Sequence, residues 1–107
     1  MGALRYDGET TEFDDRLLAH LQIVIVHRLR QGKSFTMSWM NALSIGDGRA
    51  SIWLHPQCHL RFGFDGSRSP TIDPDWLRLL GDSADGPRGL IVTDEQGVPV
   101  RSTGGAR

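Results

Sequence analysis

Two histidines and the only cysteine lie close together in the middle of the chain. His55, Cys58 and His59 stand within five residues, and imidazole nitrogen and thiolate sulfur are ligands that zinc prefers. A structural zinc site needs four ligands, commonly in paired units such as C-x-x-C. The remaining histidines, His20 and His27, are seven positions apart on a predicted helix. The pattern therefore favours a turn with solvated histidines, and we predict no metal and no cofactor.

The same residues do not form a catalytic set. Nucleophilic catalysis needs a positioned nucleophile, a base and an orienting group. Cys58 and His59 are neighbours, and neighbours on an extended strand point to opposite faces. The carboxylates gather at 14–15 and 73–75, where helix capping accounts for them. Gly46-Asp47-Gly48 lacks the Lys-Ser/Thr of a phosphate-binding loop, so we predict that the protein is not an enzyme and has no small-molecule substrate.

Trp53 is the most suggestive candidate for binding. In the predicted strand 50–55 it points away from the core, with His55 in register and Arg61 on the following strand. An exposed Trp beside a guanidinium is typical of a protein interface or of a base-stacking platform. The alternative is a Trp covered by a local loop or by the N-terminal hairpin.

Basic residues form a second candidate surface. If these residues converge near one end of the sheet, they could bind phosphate groups. The alternative is that each one is a separate charge exposed to solvent. The residues are Arg28, Arg30, Lys33, Arg49, Arg61 and Arg68.

The elements that would position these residues follow from periodicity and capping. Leu17, Leu21 and Val24 recur at helical spacing after Asp14, a predicted N-cap. Apolar and hydroxyl residues alternate over 34–39, as in a half-buried strand. Asp73-Pro74 is typical of a second helix start. The predicted elements are a hairpin (4–6 and 11–13), a helix from Asp14 to before Gly32, strands at 34–39, 50–55 and 60–64, a helix from Asp73 to Gly86, and a strand at 89–93.

The order of these elements predicts an α+β fold. We expect an antiparallel sheet in which the strands at 34–39, 50–55 and 60–64 form a three-strand meander, with both helices on one face. The other face is open to solvent or to a partner, or is covered. The domain is predicted to span 1–95, followed by a disordered tail at 96–107. The predicted core is Leu17, Leu21, Val24, Ile25, Phe35, Met37, Trp39, Ile52, Leu54, Leu60, Phe62, Phe64, Trp76 and Leu80.

Composition limits the class of partner. The chain has 107 residues, a formal net charge of -1 and 38% hydrophobic residues, which is the balance of a folded domain. So small a net charge provides no global attraction to nucleic acid or membrane. No apolar run approaches the ~20 residues that a membrane span needs. Cys58 is the only cysteine, so a cytoplasmic location is expected.

Several segments resemble a known group of proteins. They are F-D-D-R-L-L-A-H-L-Q (13–22), S-F-x-x-S-W (34–39), S-I-W-L-H-P (51–56) and G-S-R-x-P-x-I-D-P-x-W-L (66–77). The chain resembles a family of short actinobacterial proteins of unknown function that are often labelled "ATP-dependent DNA ligase". A ligase of that kind attacks ATP with the lysine of a K-x-D-G motif. The only lysine here lies in Lys33-Ser34-Phe35-Thr36, so the resemblance implies no ligase activity.

These observations lead to two functional hypotheses. The first is a small non-enzymatic binding or assembly module that uses Trp53, His55 and Arg61 to bind a protein partner or a second copy of itself. The second is a nucleic-acid-associated accessory domain that uses Arg28, Arg30, Lys33, Arg61 and Arg68. Salt-sensitive binding to nucleic acid would distinguish the second from the first.

Overall fold

The computed structural model describes residues 2–105 and folds them into two helices and seven strands. Both helices and the N-terminal hairpin lie where the sequence predicts them. The elements are β1 (Gly2–Tyr6), β2 (Glu9–Phe13), α1 (Asp15–Arg30), β3 (Phe35–Met40), β4 (Arg49–Leu54), β5 (Leu60–Gly63), α2 (Pro74–Asp85), β6 (Leu90–Ile91) and β7 (Gly104–Gly105).

The predicted caps and turn explain where the first elements begin and end. The Asp14 carboxylate accepts hydrogen bonds from the amides of Arg16 and Leu17, and thereby satisfies two free donors at the start of α1. Asp73 caps α2 in the same way, with Pro74 in the first turn. Asp7 and Gly8 adopt φ angles of 47° and 91°, as a tight hairpin turn requires. The α+β class is confirmed.

The strands form two sheets, and the predicted three-strand meander is wrong. One sheet has the order β5-β1-β2-β7 and the other β4-β3-β6. β3 and β4 pair antiparallel as predicted, but β5 pairs with β1, with Phe62 opposite Leu4. The start of β5 is tied to the hairpin turn, since the His59 amide donates to an Asp7 carboxylate oxygen at 3.2 Å and the Asp7 amide donates to the His59 carbonyl at 3.1 Å.

The two helices consequently cover different sheets. α1 packs against β1, α2 packs against β3 and β6, and the helices pack against each other. The rings of Phe13 and Trp39 join the two sheets through an edge-to-face contact with centroids 5.7 Å apart. Ten of the predicted core side chains are buried. Three more pack against the core while partly exposed, namely Ile52, Leu60 and Phe62.

The alternation of Phe64 with Leu60 and Phe62 predicts that Phe64 is buried in the core, and this prediction is wrong. β5 ends at Gly63, so the alternation of the strand no longer determines the direction of the next side chain. Phe64 is 36% exposed and lines a cavity of about 330 Å³ together with Ile23 and Ile72.

The C-terminal residues described by the structure do not form the disordered tail that the sequence predicts. The Ser102 amide donates to the Met40 carbonyl at 2.8 Å, and the Thr103 amide donates to the Glu12 carbonyl at 2.7 Å. β7 then pairs with β2. Main-chain groups make these contacts, so a segment rich in Gly, Ser and Thr can form them without an apolar pattern. Residues 106 and 107 of the predicted tail lie outside the described residues.

Candidate binding face

One face of the β3–β4 hairpin points away from the core. Phe35, Met37, Trp39 and Leu54 point inward and are buried, so their neighbours along each strand point outward. We call these outward residues the open face. They are Thr36, Ser38 and Met40 of β3, and Arg49, Ser51 and Trp53 of β4. The open face is the outer surface that the alternation over 34–39 and 50–55 predicts.

Trp53 is exposed on this face. Its side chain is 53% accessible to solvent, and Thr36 lies opposite it on β3. A residue of the other sheet binds the Trp53 main chain, because the Tyr6 hydroxyl donates to the Trp53 carbonyl at 2.6 Å. A groove of about 480 Å³ runs beside Trp53 and is also lined by Lys33 and Asp85. The structure therefore leaves Trp53 uncovered, and its main chain is held in place by Tyr6.

The rest of the open face is polar and cationic. The hydroxyls of Ser38 and Ser51 lie 2.8 Å apart in a cross-strand hydrogen bond. A second groove, of about 580 Å³, is lined by these two residues and by Arg49 and Arg88. Among residues 2–105, neither arginine forms a salt bridge. The groove thus has two uncompensated positive charges beside hydroxyl donors and acceptors.

The outer edge of β4 has no paired strand in the described chain. The Val92 amide donates to the Ser38 carbonyl at 3.0 Å, so the main-chain groups of Ser38 point away from β4. In an antiparallel pair, residues directly opposite each other point their main-chain groups in the same sense, toward each other or both away. The amide and carbonyl of Ser51, opposite Ser38, therefore point away from β3, and so do those of Arg49 and Trp53. Within the described chain, β3 is the only strand paired with β4.

Arg61, one of the two predicted companions of Trp53, does not lie on the same sheet. Arg61 lies on β5 in the other sheet, opposite Arg5. His55 follows β4 as a half-buried residue, and its carbonyl accepts the Cys58 amide at 3.0 Å in the turn toward β5. The prediction that Arg61 lies beside Trp53 is wrong because it depended on the meander.

Arg28 is not free to bind a partner. Its guanidinium donates to both carboxylate oxygens of Asp85 at 3.1 Å and to the Gly81 carbonyl at 3.1 Å. The Arg28 side chain is 14% exposed, compared with 47% for Asp85. Hydrogen bonds from Arg28 lower the pKa of the Asp85 carboxyl, and Lys33, 3.7 Å away, adds to this effect. Arg28 thus links the ends of the two helices.

The remaining basic residues are dispersed, so the predicted convergence is not found. Arg30 is exposed at the end of α1 and borders a shallow cleft with Ile23 and His27. Arg68 lies in the loop between β5 and α2 and borders the cavity that contains Phe64. Of the predicted set, Lys33 is near Trp53 and Arg49 lies on the open face.

His55, Cys58 and His59 do not come together as a metal-binding group in the described chain. His59 is exposed and Cys58 is half-buried. The main chain of His59 forms hydrogen bonds with Asp7 of the hairpin turn. Within residues 2–105, there is no group of three or more His, Cys, Asp or Glu side chains that could hold a metal ion.

His20 is a structural residue whose role the sequence does not reveal. It is fully buried, with Nδ1 2.7 Å from the Arg16 carbonyl and Nε2 accepting the Asp73 amide at 2.9 Å. Since a carbonyl can only accept, Nδ1 must carry the proton. The imidazole also packs on Trp76, with ring centroids 4.3 Å apart. His20 therefore attaches the start of α2 to α1, and only its position among the buried residues of α1 signals this role.

The fold and the open face define a small α+β domain that presents an exposed tryptophan on an edge strand. Comparison with known proteins gives the family. Residues 1–95 match the model of a domain of unknown function, DUF7882, and the chain belongs to that family. No curated protein and no solved structure matches the chain. Across residues 2–105, no helix is long and apolar enough to cross a membrane.

Proposed function

We propose that this protein is a non-enzymatic binding and assembly module whose contact surface is the open face around Trp53. The observation that carries the proposal is the 53% exposure of Trp53 on an edge strand whose outer side has no paired strand in the described chain. Buried tryptophan and arginine are the side chains that contribute most to protein–protein binding. Trp53 and Arg49 supply both types on one strand. A cytoplasmic location remains part of the proposal.

A protein partner suits this face better than a nucleic acid does. Arg28 is engaged by Asp85, Arg61 lies on the other sheet, and Arg30 and Arg68 border different clefts. Duplex binding would need several phosphate contacts on one surface. The ligase label that goes with the actinobacterial resemblance adds no support, because the K-x-D-G motif is absent.

Site-specific photo-crosslinking in the producing cells tests the proposal. A photo-crosslinking amino acid replaces Ser51, whose side chain is exposed beside Trp53, and the matched control carries it at Ile23 on the exposed side of α1. We expect a discrete adduct from position 51 that disappears when Trp53→Ala is added, and no such adduct from position 23. An adduct that persists without Trp53, or the absence of any adduct at position 51, would contradict the proposal.

Nucleic acid is tested on the purified protein. Short single- and double-stranded DNA is added at low and at moderate salt, and the complex is measured by size-exclusion chromatography with light scattering. We expect no shift. A shift of the protein to a larger complex that is reversed by salt would support the nucleic-acid hypothesis instead.

A further inference from the structure

The outer edge of β4 has main-chain hydrogen-bonding groups that no strand of the described chain pairs with. The amides of Arg49, Ser51 and Trp53 point away from β3, and so do their carbonyls. The Trp53 carbonyl accepts the Tyr6 hydroxyl at 2.6 Å, and no strand of residues 2–105 pairs with this side of β4. Such an edge is a template for another strand. It lacks the proline, bulge or inward charge that commonly protects an exposed edge.

The side chains of β4 are complementary to a second copy of the same strand. If two β4 strands run antiparallel with Ser51 opposite Ser51, Arg49 of each copy lies opposite Trp53 of the other. Opposed side chains in an antiparallel pair lie close enough to interact. A guanidinium against an indole ring is a favourable cation–π pair. In this register each copy contributes one cation and one aromatic ring, so the interface is self-complementary, as a twofold dimer requires.

We propose that the partner of the open face is a second copy of this chain, joined by antiparallel pairing of the β4 edges with Ser51 at the twofold axis and Arg49 opposite Trp53 of the other copy. This inference rests on the proposed function and names its partner. The two β4-β3-β6 sheets become one continuous sheet, and the Arg49 and Arg88 side chains of both copies remain on its outer surface.

Charge favours edge pairing over the stacking of two open faces. Stacking would bring Arg49 and Arg88 of one copy against the same two cations of the other, and like charges in contact are unfavourable. Edge pairing instead places Arg49 against a ring. The Trp53 carbonyl can accept from Tyr6 and from the second copy, because a carbonyl oxygen has two lone pairs.

A pair of charge reversals tests the register. Sedimentation equilibrium of the purified full chain over a dilution series is expected to show a dimer that dissociates on dilution. Arg49→Glu places a carboxylate against the ring and is expected to raise the dimer dissociation constant about tenfold or more, whereas Arg49→Lys has a small effect. Arg88→Glu makes the same charge change on the same face outside the strand pair, and should leave the dissociation constant within about threefold of wild type.

Ser51→Pro tests the edge itself. The Ser51 amide points away from β3, so proline removes a hydrogen bond that the dimer needs and the hairpin does not. The variant is expected to be monomeric with its circular dichroism spectrum retained. If it does not fold, the two charge reversals still decide the register.

The outcomes separate this inference from the proposed function. A dimer that Trp53→Ala weakens but that neither Arg49→Glu nor Ser51→Pro affects would overturn edge pairing and leave the open face as the contact surface. A wild-type monomer at every concentration, together with a crosslinked adduct to a different protein at position 51, would overturn the second copy as partner. A monomer with no adduct would overturn both proposals.

Discussion

The Tyr6 hydroxyl donates a hydrogen bond to the main-chain carbonyl of Trp53 at 2.6 Å. Tyr6 is the last residue of β1, and Trp53 lies on β4 of the other sheet. This bond fixes one sheet to the other at the residue that dominates the open face. The open face is therefore positioned by the N-terminal hairpin as well as by β3.

Tyr6→Phe removes this bond and is expected to lower the free energy of unfolding by about 1 kcal/mol, the usual net value of one hydrogen bond. Burial, assisted by the nearby Asp7, raises the pKa of Tyr6 in the folded protein. The contribution of Tyr6 to the stability of the fold is therefore present below the pKa of an unfolded tyrosine. It is lost as the pH rises through the pKa of Tyr6 in the folded protein. Denaturant unfolding at neutral and alkaline pH should show the difference between wild type and variant shrinking at alkaline pH. A constant difference would contradict this account.

The Arg28–Asp85 pair predicts an acid-dependent loss of stability. Its hydrogen bonds lower the pKa of Asp85, so the pair stabilises the fold above the pKa of an unfolded aspartate and ceases to do so as the pH falls through the lowered pKa. Arg28→Ala should reduce the free energy of unfolding by about 1–2 kcal/mol. This value is lower than for a fully buried pair, because solvent screens the half-exposed Asp85. It should also flatten the acid dependence.

Arg30→Ala is the matched control for this pair, since Arg30 is exposed two positions further along α1. Its effect should stay within about 0.5 kcal/mol. Equal losses for Arg28→Ala and Arg30→Ala in denaturant unfolding would show that Arg28 does not link the helices.

His20→Leu leaves the Asp73 amide without its acceptor and should destabilise the fold by about 1–3 kcal/mol. His27→Leu makes the same chemical change at an exposed position of the same helix and should alter the free energy of unfolding by no more than about 0.5 kcal/mol. Thermal and denaturant unfolding of both variants gives the comparison. Similar effects for the two would refute the role assigned to His20.

Truncation after Gly97 should destabilise the protein although the DUF7882 match ends at residue 95. The deletion removes the pairing of β7 with β2 and the Ser102 hydroxyl that accepts the buried Ala42 amide at 3.1 Å. We expect a loss of at least about 2 kcal/mol, because a buried donor is left unpaired. Ser102→Ala in the full chain should reproduce part of the loss. An unchanged unfolding midpoint for the truncated chain would instead support the prediction of a disordered tail.

Much of the fold could be predicted because capping and periodicity are local signals. Asp14, Asp73 and Pro74 mark the helix starts, and the alternation over 34–39 identifies both faces of β3. The partner of β5 could not be predicted in this way. Alternation at Leu60 and Phe62 determines which side chains point inward but not which strand lies alongside, and here the Asp7–His59 contacts direct β5 to β1.

The residues of the open face could be predicted from the sequence only in part, as was the case for the fold. Alternation placed Trp53 outward, and the structure confirms its exposure. The sequence contains no comparable signal for Arg28, because its carboxylate partner lies 57 positions away on α2. The sequence also gives no signal for Arg88, since it borders the open face only through the parallel pairing of β6 with β3.

Amide hydrogen exchange along β4 tests the central claim most directly. The amides of Ala50 and Ile52 point toward β3, while those of Ser51 and Trp53 point to the open edge. In dilute protein the first pair should exchange slowly and the second quickly. In concentrated protein we expect Ser51 and Trp53 to gain protection while Ala50 and Ile52 change little. Equal exchange of Ser51 and Trp53 at both concentrations would contradict the claim that this edge binds a second copy.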